Sequence, residues 1–160
     1  LHDHAKVMIE DFDTDERFDL ATLRMVAEHI ADPPAVAKAL SRLLLPGGRV
    51  IIFTVNRWSP ITLISQAVPF SLHYPIKKFF WGGEEEDTFP VEYKMNTRKA
   101  LQNLFAENGF VEESFAYLDD LSVFGHFKLM GYVELSLWRL INKLGLRYPE
   151  NCLLGVYKKQ

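Results

Sequence analysis

Phe18-Asp19-Leu20-Ala21-Thr22-Leu23-Arg24-Met25-Val26-Ala27-Glu28-His29-Ile30 decides the fold, together with its later answer Leu44-Leu45-Pro46-Gly47-Gly48-Arg49-Val50-Ile51-Ile52-Phe53-Thr54-Val55. From Phe18 to Met25 the chain is nearly continuously apolar, the mark of a strand covered on both faces in a parallel sheet. It empties into a polar lip that ends in Glu28-His29. Between the two stretches, Asp32 stands before Pro33-Pro34. Asp caps the free amides of a first turn, and proline has no amide to leave unpaired there. Val36, Leu40, Leu43 and Leu44 then recur at helical spacing, and Gly47 is placed to take the left-handed conformation that closes a helix. Arg49 to Val55 is rich in β-branched residues and reads as a second buried strand.

Strand, helix and strand at this spacing make a βαβ unit, with a right-handed crossover and helices on both faces of the sheet. The fold class is therefore α/β, of the doubly wound kind, in which ligands sit outside the carboxyl ends of the strands. The residues just beyond the two strands carry the functional information.

Upstream, residues 5–10 are a short apolar run that reads as a further strand, followed by a polar turn at 11–17. Downstream, Asn56 to Tyr93 is long and aromatic (Trp58, Phe70, Tyr74, Phe79, Phe80, Trp81) and is broken by Pro60, Pro69 and Pro75. A connection of that length within a compact domain is commonly a lid or binding segment. Asn96-Thr97 caps a helix over 98–107 with Leu101, Leu104 and Phe105 on one face, ended by Asn108-Gly109. Residues 110–118 read as a strand. Residues 125–144 form an amphipathic helix with Met130, Val133, Leu137, Leu140, Ile141 and Leu144 in its stripe, and 152–157 form the closing strand. The 160 residues read as one compact unit without a linker, with an aromatic insertion at 56–95 and a helical insertion at 119–150.

Hydrophobic residues at 48% and charged residues at 24% are those of a globular protein, and a net charge of −3 provides no general field for nucleic acid. Cys152 is the only cysteine, so no intrachain disulfide forms and a reducing, cytoplasmic setting is expected. Its apolar neighbours mark it as a buried small hydrophobe. No run reaches the roughly 18–20 apolar residues of a spanning helix. His2 and His4 lack further ligands for a metal, His73 and His126 read as structural or surface residues, and Glu84-Glu85-Glu86-Asp87 reads as a solvated loop.

Phe18-Asp19-Leu20, Glu28-His29-Ile30-Ala31-Asp32-Pro33 and Leu44-Leu45-Pro46-Gly47-Gly48-Arg49-Val50, in that order, resemble the class I S-adenosylmethionine-dependent methyltransferases. The nearest group contains the ubiquinone-type and type 11/12 small-molecule enzymes. Glu86-Asp87-Thr88-Phe89-Pro90, Tyr93 and Asn96-Thr97-Arg98 resemble a bacterial subgroup, so the likeness spans essentially the whole chain. It implies a Rossmann-like sheet whose fourth strand is Phe18 onward and whose fifth opens at Pro46-Gly47-Gly48, with the chain starting near the third. It also implies S-adenosylmethionine as cofactor and a small-molecule acceptor; the aromatic insertion and the amphipathic helix suit one that is hydrophobic or aromatic. By the same resemblance Leu23 and Arg24 line the methionine end of the cofactor, and the backbone near Ile9 lies by the adenine. Glu28 and His29 face the substrate side, with Asn56 at the mouth of the next strand.

His29 is the candidate general base, because an imidazole accepts a proton near neutrality; the plainer alternative is a histidine that only orients backbone. Glu28 acts on His29 or on a metal. Ubiquinone-type enzymes carry a further Glu near this point, and Met25 stands at the matching place, so no metal site is assigned. Trp58, Tyr93 and Trp81 either shape an aromatic pocket or pack the insertion onto the core.

The family's glycine-rich turn and acidic strand end have no counterpart here. Gly47-Gly48 and Gly82-Gly83 are the glycine pairs, and neither follows a strand and opens a helix. The chain is accordingly expected to be the C-terminal portion of a methyltransferase that binds cofactor poorly or not at all by itself and self-associates through an unpaired sheet edge. A reading from another class is a non-catalytic α/β remnant used for binding or assembly, through residues 125–144. A nicotinamide-dependent Rossmann enzyme fits less well, because the lip and the Pro-Gly-Gly opening are not that family's motifs.

Overall fold

The computed structural model describes residues 5–69, 91–119, 128–145 and 150–160. In chain order these form β1 (Phe18–Arg24), α1 (Pro33–Leu43), β2 (Leu44–Val55), α2 (Pro60–Ala67), α3 (Arg98–Glu107), β3 (Phe110–Leu118), α4 (Lys128–Lys143) and β4 (Cys152–Lys159). The sheet order is β1-β2-β4-β3. β1 runs parallel to β2, and β4 lies antiparallel to both of its neighbours. The fold is mixed α/β, as the βαβ reading anticipates.

Three helices start where short polar side chains replace the missing backbone acceptor. Asp32 accepts the Ala35 amide at 3.1 Å, Ser59 that of Thr62 at 3.2 Å, and Thr97 that of Ala100 at 3.2 Å. Thr97 alone caps α3; Asn96 turns inward. On one face of the sheet, Val36 and Leu40 of α1 and Leu101 and Phe105 of α3 meet Val50 and Ile52 of β2 and Leu153 and Tyr157 of β4. Phe105 stacks on Tyr157 with ring centroids 4.5 Å apart and meets Phe110 edge-on at 5.2 Å. Burial is the main reason that the Tyr157 phenol titrates far above its ordinary value.

Four expectations change. Gly47, with φ of +84°, does not close α1, because Leu44 is already extended and passes directly into β2. Phe18 faces Leu44 and Leu20 faces Arg49, so Leu45–Gly48 bulge out of the parallel pairing. Gly48 is needed at the same place, since a Cβ there would lie 2.9 Å from the Leu45 carbonyl oxygen. Pro-Gly-Gly thus shapes a bulge.

Residues 5–10 form no strand. Their backbone is satisfied locally, with the Asp11 amide on the Met8 carbonyl at 3.1 Å and the Phe12 amide on Ile9 at 3.3 Å, in a 3-10 turn at Ile9–Asp11. The Arg42 guanidinium holds this turn against α1 by donating to the Phe12 carbonyl at 2.6 Å.

β1 is not covered on both faces. It is an edge of the described sheet, only Leu23 in it is buried, and Leu20 is 51% exposed. In α4 the apolar stripe is present, yet Val133, Leu137 and Leu140 are exposed and Glu134 is the buried residue. His2, His4, His73, Trp81, the glycine pair at 82–83, the acidic run at 84–87 and His126 lie outside the described residues. Among those described, no helix is long and apolar enough to cross a membrane.

Candidate active site

β1 and β2 deliver their carboxyl ends side by side, with Arg24 opposite Phe53. The next residue, Met25, keeps the ladder by donating its amide to the Phe53 carbonyl at 2.8 Å, and does so at φ of +51°. A left-handed non-glycine residue costs about 1–2 kcal/mol, so the turn leaving β1 is held by what surrounds it. That turn is a single 3-10 element, Ala27–His29. At 3.0 residues per turn, successive side chains point roughly 120° apart. Ala27 is fully buried in the core, Glu28 is 6% exposed in a polar pocket, and His29 lines a cleft. Adjacent in sequence, Glu28 and His29 face different surroundings.

The cleft has a volume of about 400 Å³ and lies between the Ile9 turn and the end of β1. Met8, Ile9, Leu23 and Val26 give it an apolar lining, while Glu10, Thr22 and His29 supply its polar side chains. The volume falls in the small-molecule range of roughly 300–1,000 Å³. Glu10 Oε2 is buried and has no hydrogen-bond donor among the described residues. A shielded acceptor of this kind favours a ligand that brings an N–H or O–H.

On the other side of the turn, the Thr54 hydroxyl donates to Glu28 Oε2 at 2.7 Å, and Asn96 Nδ2 donates to Thr54 Oγ1 at 2.8 Å and to the Val55 carbonyl at 3.0 Å. The Glu28 carbonyl accepts the amides of Glu92 at 2.7 Å and Tyr93 at 3.2 Å. Tyr93 has φ of +50° and is 9% exposed. Burial raises its phenol above the ordinary value; the Glu28 charge adds to this, and a hydrogen bond with Ser65 opposes it.

Of the residues singled out from sequence, Ile9, Leu23 and His29 meet at the cleft, while Arg24 is exposed and lies outside its lining. Asn56 organises the turn after β2: its amide donates to Asn151 at 2.8 Å, its Nδ2 donates to the Glu150 carbonyl at 2.9 Å, and its Oδ1 accepts the Trp58 amide at 3.0 Å. Trp58 is 66% exposed beneath the Arg57 guanidinium, 5.7 Å from the ring centroid. The described residues place neither Asn56, Trp58 nor Tyr93 in the cleft. Glu10 and Thr54 escaped the sequence reading, which makes Asn96 a helix cap and not a partner of Thr54. Thr54 alone left a signal, a hydroxyl on the face that otherwise carries Val50 and Ile52. Among the described residues no group of three His, Cys, Asp or Glu could hold a metal.

The mixed α/β fold with its four-stranded sheet matches class I methyltransferase structures. Residues 2–114 match the methyltransferase domain family, and the chain belongs to it. Ubiquinone biosynthesis O-methyltransferase of Aeromonas salmonicida is 43% identical over 44 residues, which are 28% of this chain and 18% of that enzyme. The chain therefore matches well under two thirds of that relative's length. A SAM-dependent methyltransferase from Methanosarcina mazei superposes with a TM-score of 0.55 at 14% identity, over 96% of this chain and 65% of that one. The [4+2]-cyclase SpnF superposes at 0.51 with 14% identity, over 97% and 54%. At such identities the likeness concerns the fold alone, and the cyclase illustrates that the fold is not a reaction.

Proposed function

We propose that this chain forms part of an enzyme that transfers a methyl group from S-adenosylmethionine to a small-molecule acceptor. The observation that carries the reading is the cleft itself, an apolar slot with one unpartnered buried carboxylate oxygen and one imidazole. These groups fit an adenosine-bearing ligand: apolar walls for the base, and Glu10 Oε2 to accept from an amino or hydroxyl group. Ile9, Glu10 and Leu23 would hold the ligand, with Arg24 beside its charged end. When bound, S-adenosylmethionine supplies an electrophilic methyl on a sulfonium.

The residues of this chain then have positioning and proton transfer left to do, and both lower a displacement barrier without a metal or a covalent intermediate. His29 accepts the proton that an O–H or N–H acceptor loses as the new bond forms. Glu28, turned away from the cleft, is a positioning residue. The aromatic segment 56–95 is the substrate-side lid, which suits a hydrophobic or aromatic acceptor. With no glycine-rich turn in the chain, it binds cofactor weakly by itself.

Titration of the 15N-labelled chain with S-adenosylhomocysteine tests this. Amide shifts are expected at Ile9, Glu10, Leu23 and His29, with an affinity weaker than about 1 μM. They should be lost in Glu10→Ala. If millimolar ligand leaves these amides unmoved, the cofactor cleft is refuted and the non-catalytic binding module becomes the better reading.

A further inference from the structure

We propose that Thr54 and Asn96 are positioning residues which, through Glu28, hold the turn that aims His29 into the cleft. This rests on the reading of His29 as the proton acceptor, but the geometry behind it is independent of the cofactor.

The hydrogen bonds have a direction. A threonine hydroxyl has one proton to donate. Thr54 Oγ1 receives a proton from Asn96 at 2.8 Å, so its own goes to Glu28 Oε2, 2.7 Å away. The second Asn96 amide proton goes to the Val55 carbonyl at 3.0 Å, which prevents the amide from turning over. Asn96 is wholly buried and Glu28 nearly so, so water does not compete with this order. The outcome is a carboxylate that can only accept, with its plane set from β2 and from the segment before α3.

The backbone repeats the restraint. Consecutive amides at Glu92 and Tyr93 converge on the Glu28 carbonyl, a small concave nest of the sort that usually receives an anion. Here it grips a main-chain oxygen one residue before His29. Glu28 is therefore fixed at both its side chain and its carbonyl. With Ala27 anchored in the core, the backbone that carries His29 is held at both preceding residues.

Packing does not account for the hydroxyl. Valine at 54 has nearly the same shape and would continue the apolar face of Val50 and Ile52. What it would remove is the donor that orients Glu28.

The test compares Thr54→Val with Thr54→Ser in the full chain, reading the His29 ring resonances and the hydrogen exchange of the Glu92 and Tyr93 amides. Thr54→Val is expected to shift the His29 ring signals and to speed exchange at Glu92 and Tyr93 about tenfold, the size of one lost net hydrogen bond. Leu101 in α3 and Tyr157 in β4 should exchange as in the parent. Thr54→Ser should restore both local readouts. Asn96→Ala, which leaves the Thr54 donor in place, should move the same signals less, and it serves as the test if Thr54→Val fails to fold. The proposal falls if the His29 ring is unmoved in these variants, if serine behaves as valine does, or if exchange rises equally throughout. Failure of S-adenosylhomocysteine to perturb the parent would instead sink the cofactor reading and leave this result standing.

Discussion

The two sides of β2 are built to different standards. Towards β4 and β3, Val50, Ile52, Leu153 and Tyr157 are fully buried, and two aromatic contacts tie α3 to the sheet. Towards β1, Phe18 is 37% exposed, Leu20 51% and Val26 46%, and the turn leaving the strand carries a strained Met25. One side is a closed core; the other is an open cleft with largely apolar walls. Stability and the candidate chemistry therefore sit on opposite sides of a single strand.

A pair of truncations should expose that division most strongly. Phe105→Ala removes a ring at full burial and should cost about 3–5 kcal/mol, whereas Leu20→Ala on the exposed strand should stay within about 0.5 kcal/mol. Urea denaturation of the two variants checks it, and equal losses would dissolve the comparison. The bulge on the open side gives an intermediate effect. Gly48→Ala forces a methyl towards the Leu45 carbonyl and should cost about 1–3 kcal/mol. Gly47→Ala meets nothing within 4 Å and should cost only about 1 kcal/mol, from its backbone conformation.

The smallest effect lies at the rim of the closed side. The Arg49 guanidinium, 2.7 Å from Glu113, holds that carboxyl below its ordinary range through their hydrogen bond. A depressed carboxyl stabilises the fold above its unfolded pKa and loses that contribution as pH falls through its folded one. Both side chains are well exposed, so salt screens the pair. Melting temperature followed against pH should show a slight advantage over Glu113→Gln near neutrality that disappears in acid and in high salt.

The same division explains what the sequence disclosed. β1, α1, β2, α3 and β3 were legible because their signals are local: apolar runs, β-branching, the caps at Asp32 and Thr97, and the stop at Gly109. Residues 5–10 misled because an apolar run becomes a strand only beside a partner edge. Pro46-Gly47-Gly48 misled because one pattern suits a helix end and a bulge alike, and only the register of Leu20 on Arg49 decides between them. At the site, Glu28-His29 was legible as a motif, but its division between cleft and interior follows from 3-10 geometry. Thr54 and Asn96 were hidden for another reason. Their importance lies in contacts made across the chain, Thr54 with Glu28 over 26 residues and Asn96 with Thr54 over 42, a coincidence that no short window of sequence contains.

Among the described strands β4 is made last, yet it lies between β2 and β3. Beside it, the Lys159 ammonium reaches back across 118 residues to the Ser41 carbonyl at 2.5 Å and bonds Leu44 at 2.8 Å, closing the end of α1. During synthesis, β2 and β3 must therefore wait with open edges until their shared neighbour emerges, the condition in which nascent sheets rely on chaperones. Non-local pairing of this kind also slows refolding. In the growing polypeptide, a strand from the interior of the described sheet is made after both of its neighbours.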